Sequence, residues 1–213
     1  MRVAVFASGG GTNLQTLLDR CRPPEEALVG LVVSDRESAG ALERARSAGV
    51  ETEVLADPSD GTAIVDLLAR AQTDLLVLAG YLKLVPLEVV RAFDGRLINI
   101  HPALLPAFGG NGMYGIRVHQ AVIESGATIS GATVHLVNEE YDRGTIVAQW
   151  PVPVLADDTP ESLAARVLEI EHELLPAVVL AASRAGKVVR LPFAERAFVA
   201  GDLPNVSTTL VQI

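Results

Sequence analysis

Short runs of Val, Ile and Leu alternate with amphipathic stretches along the first hundred residues. Arg2–Ser8, Leu28–Ser34, Asp74–Gly80 and Arg96–His101 are apolar without polar alternation, the pattern of strands covered on both faces. Between them, Asn13–Cys21, Ala39–Ala48, Asp60–Ala71 and Pro86–Phe93 space their apolar residues at helical intervals. Gly49 supplies a stop after one of these helices, and Pro86 a first-turn residue for another. Strand–helix–strand alternation predicts an α/β fold, a mostly parallel sheet with helices on both faces.

The pattern changes after His101. Pro102–Gly115 is rich in Pro and Gly and reads as a loop long enough to be functional. A short helix is expected from about Arg117, then strands over Ile129–Asn138 and Thr145–Val154. Glu139–Gly144 joins those strands as a hairpin-like connection that would expose its acidic residues. Thr159-Pro160-Glu161 opens a long helix, with Thr as N-cap and Pro at the first helical position, and Gly186 closes it. The tail from about Leu191 carries no readable pattern, and there is no internal repeat.

A chain of 213 residues with 49% hydrophobic and 20% charged positions fits one globular domain, or two tightly joined halves. The net charge of −9 sets the surface against phosphodiester backbones and anionic membranes, so neither nucleic acid nor membrane is expected as a partner. No stretch approaches the roughly 18 apolar residues of a membrane span. Cys21 stands alone, which leaves no internal disulfide or Cys-based metal cluster and fits a reducing cytoplasm.

Three places carry candidate chemistry. Ser8-Gly9-Gly10-Gly11-Thr12-Asn13-Leu14 follows a strand and opens a helix. Glycines there allow a tight turn and close approach to a ligand, and the helix N-terminus offers unpaired N–H groups to an anion. No Gly-Lys-Ser/Thr follows, so it is not a P-loop, and Leu14 stands where a dinucleotide fingerprint has its third glycine. It reads either as a tight turn or as a site for a monophosphate.

Asn99-Ile100-His101-Pro102 ends a buried strand. Residues two apart point to the same side, so Asn99 and His101 can face one cleft at the end of the sheet where α/β folds bind ligands. An amide and an imidazole side by side polarise a carbonyl and move a proton; a hydrogen-bonded core pair is the other reading. Asp142 lies on the connection between the last two strands, where a carboxylate is ordinarily solvated. His135 reads as a structural histidine, and His119 and His172 sit in expected helices without metal-ligand spacing. No Gly-x-Ser-x-Gly elbow occurs, and no thiol has a fitting base.

Over roughly residues 1–185 these segments together resemble the glycinamide ribonucleotide formyltransferase family. Ser8–Gln15 is similar to its phosphate-binding opening, and Asp74–Leu82 to the strand and turn leading to its folate pocket. Leu97–Pro106 resembles the segment shared by the wider group that uses formyltetrahydrofolate, and Gly131–Val137 with Asp142-Arg143-Gly144 the segment supplying that group's aspartate. The sequence departs from the family's pattern in its longer loop at Phe108–Gly115 and in Thr145, where proline is common.

The resemblance implies a Rossmann-like sheet of the formyltransferase fold. It implies a phosphate-binding half over residues 1–100, and a folate and catalytic half with the last helix over 101–213. It implies a catalytic trio of Asn99, His101 and Asp142. Gly11, Thr12 and Asn13 would hold the nucleotide phosphate, and Glu171 would meet the ribose hydroxyls. Leu82, Lys83, Leu84, Val85, Glu139, Glu140 and Tyr141 would flank the pterin.

The implied reaction is direct formyl transfer from 10-formyltetrahydrofolate, as co-substrate and without metal, to the amine of glycinamide ribonucleotide, by a monomer or homodimer. Methionyl-tRNA formyltransferase would carry an additional basic domain. Formyltetrahydrofolate hydrolase, the main alternative, would lack the Gly9–Asn13 opening. A non-enzymatic nucleotide-binding module would not need Asn99, His101 and Asp142 together.

Overall fold

A computed structural model describes residues 1–22 and 27–191. The tail after Leu191, which the sequence pattern leaves unassigned, lies outside the described residues. The chain runs β1 (Arg2–Phe6), α1 (Thr12–Arg20), β2 (Leu28–Ser34), α2 (Gly40–Ser47), β3 (Glu51–Val54), α3 (Gly61–Arg70) and β4 (Leu75–Leu78). It continues through α4 (Leu87–Ala92), β5 (Leu97–His101), α5 (Ile116–Glu124), β6 (Ile129–Leu136), β7 (Ile146–Pro153) and α6 (Pro160–Ala185). The strands form one sheet in the order β3-β2-β1-β4-β5-β6-β7. Pairing is parallel from β3 to β5 and antiparallel from β5 to β7. The mostly parallel α/β sheet expected from the pattern is what forms.

Alternate residues of β1 show why its apolar run has no polar positions. Val3 and Val5 pack on one face with Leu14, Leu17, Leu42, Val167 and Val179 from α1, α2 and α6. Ala4 and Phe6 pack on the other with Ile64, Leu68 and Val89 from α3 and α4. Each face of the sheet is thus buried under helices, as parallel strands require. No helix among the described residues is long and apolar enough to cross a membrane.

Two expectations need correction. Pro86 precedes α4 as its N-cap, with ψ 147°, rather than lying in its first turn. β3 was not expected: Glu51-Thr52-Glu53-Val54 has no apolar run, because it is an edge strand paired only with β2 and buries little. At the start of α6 the reading holds in detail. Thr159 and Ser162 bond each other's backbone N–H groups as a capping box, with Pro160 at the first turn.

Candidate active site

The carboxyl ends of β4 and β5 open on a cavity of about 480 Å³ that α5 and α6 also line. Its lining includes Asn13, Leu82, Lys83, Leu84, Val85, Asn99, His101, Glu140, Tyr141, Asp142 and Glu171, all singled out from the sequence. Gly11, Thr12 and Glu139 are not part of that lining; the Glu139 carboxylate instead pairs with exposed Arg91 at 3.3 Å.

The glycine turn is built to close on itself. Gly11 has φ 73° and ψ 34°, the left-handed conformation that favours glycine, and a Cβ there would lie 2.7 Å from the Ala41 Cα. The carbonyls of Gly9 and Gly10 accept from the Ala41 N–H and the Arg44 Nε, so both are tied to α2. No side chain caps α1. Its first N–H groups are therefore left for an anion.

Asn13, in the first turn of α1, donates its Nδ2 to the Glu171 carboxylate at 2.7 Å, and its Oδ1 is buried without a hydrogen-bond partner. Glu171 is 6% exposed, and burial pushes its pKa up to about 7 although the Asn13 hydrogen bond pulls the other way. A carboxylate so placed is set to accept hydrogen bonds from hydroxyls.

In the lining of the same cavity four polar side chains meet. Asn99 and His101 leave β5 on the same side. His135 lies opposite Asn99 across the antiparallel ladder, with its Nε2 3.0 Å from Asn99 Nδ2. Asp142 turns inward from the β6–β7 connection, its side chain only 11% exposed, so that Oδ2 is 3.6 Å from His101 Nδ1. The expectation that this connection exposes its acidic residues therefore fails for Asp142, while Glu139 and Glu140 are exposed. Two local causes turn it. Asp142 adopts φ 55°, and Gly144 packs so closely on the Leu136 carbonyl that no side chain fits there.

The 107–115 loop clamps this cluster. His101 donates Nε2–H to the Phe108 carbonyl at 2.8 Å, and the Gly110 N–H donates to Asp142 Oδ2 at 2.9 Å. Burial holds the His101 imidazole below its ordinary pKa, against the opposing pulls of Asp142 and the Phe108 carbonyl. Asp142 is also held low: burial would raise it, but neighbouring His135 and His101 and the Gly110 N–H outweigh that. The arrangement places an amide and an imidazole where an oxyanion can form, with a carboxylate beside them for proton movement.

The sequence reads His135 as a structural histidine and gives His119, in an expected helix without metal-ligand spacing, no role in the site. His119 lines the cavity from α5, is buried, and is pushed down to about 4 by burial and by His101. Its neighbours Val118 and Val122 share its buried face, so its helical spacing gave no sign of a polar cavity. The signal for His135 was its strand position: if β6 pairs with β5 in this register, it must face Asn99.

Residues 1–179 match the formyl transferase family. The chain belongs to this family. A phosphoribosylglycinamide formyltransferase of Arabidopsis thaliana, named as chloroplastic, is 51% identical over 84% of this chain, which spans 64% of that relative's length. One from Haemophilus influenzae is 38% identical over 84% of this chain and 85% of its own. Among solved structures, glycinamide ribonucleotide transformylase 1 of Symbiobacterium toebii superposes with a TM-score of 0.81 at 38% identity, covering 89% of this chain and 94% of its own.

Proposed function

We propose that this chain transfers the formyl group of 10-formyltetrahydrofolate to the amine of glycinamide ribonucleotide, a step of de novo purine synthesis. The observation that carries this reading is one cavity lined both by Asn99, His101 and Asp142 and by the Asn13–Glu171 pair. The names of the A. thaliana and H. influenzae relatives support it.

In this reading both halves of the chain contribute to each substrate's site. Residues 1–100 hold the nucleotide phosphate on the Gly11–Asn13 turn, and Glu171 reaches across from α6 to the ribose. The pterin lies against Leu82, Leu84, Val85 and Tyr141, of which Leu84 is 57% exposed and awaits an apolar partner. The lone Cys21 fits the cytoplasm as the compartment.

The amine lone pair attacks the formyl carbon, and the carbonyl electrons move onto oxygen. Asn99 N–H stabilises that oxyanion together with the His101 Nε2–H, which the Phe108 carbonyl holds in the empty site and must release to it. Asp142 beside Nδ1 favours the charged imidazole against the burial that disfavours it. The carbon–N10 bond of the folate then breaks. The amine proton passes to N10 by way of Asp142, His101 and water, and no covalent enzyme intermediate forms.

Purified protein given both substrates is expected to yield formylated nucleotide and tetrahydrofolate in equal amounts, without ATP and after exhaustive chelation. The motivation is that the substrate's own amine is the nucleophile and that Asn99, His101 and Asp142 together line the cavity to stabilise the oxyanion. Dependence on a divalent ion or on ATP would defeat direct transfer.

Gly11→Ala is expected to separate the two substrates. It places a Cβ against Ala41 in a left-handed turn, a strain of about 1–3 kcal/mol. KM for the nucleotide should rise at least tenfold with the folate KM nearly constant. Equal rises in both would remove the turn from phosphate binding.

A further inference from the structure

Asn99 works as an oxyanion donor only if its carboxamide nitrogen, and not its oxygen, is held in the right place. The structure contains a device for that. His135 faces Asn99 across the β5–β6 ladder, and its side chain is 2% exposed. Its Nδ1 lies 2.8 Å from the Leu136 carbonyl oxygen. A carbonyl only accepts, so Nδ1 carries a proton, and in the neutral ring Nε2 keeps a lone pair. That lone pair, 3.0 Å from Asn99, accepts from Nδ2; the amide turned over would set oxygen against it, lone pair to lone pair. Asp142 Oδ1 is the other group near Nε2, and a proton on Nε2 would face it; at 3.5 Å that contact is long for a hydrogen bond, and Asn99 is the nearer partner.

We propose that His135 is a positioning residue. It holds the Asn99 carboxamide with Nδ2 toward β6, and so leaves the second Nδ2 hydrogen for the formyl oxygen. The Leu136 carbonyl sets the tautomer, the tautomer sets the amide, and the amide stabilises the oxyanion. The inference rests on the role given to Asn99 in formyl transfer.

A double-mutant cycle on kcat, at saturating concentrations of both substrates, tests it. His135→Leu fills the buried site without offering an acceptor. It is expected to lower kcat by about 10- to 100-fold in the parent, the scale of coupling between contacting residues, with each KM little changed. In the Asn99→Ala background the same substitution should change kcat by less than about twofold, since His135 then has nothing to position. His135→Gln, whose amide oxygen restores an acceptor, should recover part of the loss.

An equal fold-loss in both backgrounds would overturn the proposal while leaving the transfer reading intact. An Asn99→Ala variant of normal kcat would overturn both.

Nitrogen-15 spectroscopy of the histidines in the unmodified protein needs no variant to fold. It should show the His135 ring protonated at Nδ1 alone at the assay pH. A ring protonated at Nε2, alone or as well, would contradict the proposal even if the kinetics agreed.

Discussion

His101→Ala and Asp142→Asn are each expected to lower kcat by about 10²–10³, the usual loss when one group stabilising an oxyanion is removed. The two substitutions act on different parts of one device. His101 supplies the Nε2–H that leaves the Phe108 carbonyl for the new negative charge, and alanine removes it outright. Asp142→Asn is nearly isosteric and tests charge alone. Its carboxamide oxygen can still accept from the Gly110 N–H, and asparagine tolerates φ 55° better than most residues. The fold should therefore survive while the imidazolium loses its counter-charge. Because the pair is coupled at 3.6 Å, the double variant should fall little below the worse single one. Circular dichroism checks the fold, and steady-state kinetics the rest. Folded variants with near-normal kcat would make the cluster structural.

Glu171→Gln is expected to stabilise the ligand-free protein above pH 7 and to weaken nucleotide binding. Burial raises this carboxyl from 4.5 to about 7 in the folded chain. Below pH 4.5 it is protonated in both states and costs nothing. As pH rises from 4.5 to 7 the unfolded chain loses the proton first, so stability falls, and the full cost of about 3 kcal/mol is present above pH 7. Glutamine removes that cost and can still accept from Asn13. At pH 8.5 the variant should melt roughly 6–12 °C above the parent, and at pH 4 the two should nearly coincide. Its KM for the nucleotide should rise about tenfold, the value of a charged acceptor for a hydroxyl. A melting difference independent of pH would mean that Glu171 is not the strained carboxylate its burial implies. With the expected pH dependence, the cavity holds a carboxylate that disfavours the empty fold and is relieved when hydroxyls arrive.

How far the sequence reached depended on the range of the forces involved. Asn99 and His101 were legible together because a strand's two-residue period puts them on one side, and a both-faces-apolar run announces a buried parallel strand. The left-handed Gly11 was legible from three consecutive glycines after such a run. Asp142 was not legible from local pattern, since an acidic connection reads as solvated. Its inward turn depends on the Gly144 backbone meeting Leu136 and on the Gly110 amide of a distant loop. Glu171 looks like any helix glutamate until α1 packs on α6 and brings Asn13 to it across 158 positions of sequence. Both entered through family resemblance. His135 escaped because its role depends on strand pairing, and β3 because an edge strand needs no apolar run.

The claim at the centre of this account is that the site delivers the formyl group to an amine held beside it, and not to water. Formate release from 10-formyltetrahydrofolate, measured with and without glycinamide ribonucleotide, tests that directly. Slow formate release is expected in both cases, with added nucleotide turning the folate over rapidly into formylated product. Rapid formate release that needs no nucleotide, and that Gly11→Ala leaves unchanged, would contradict it and make the chain a hydrolase.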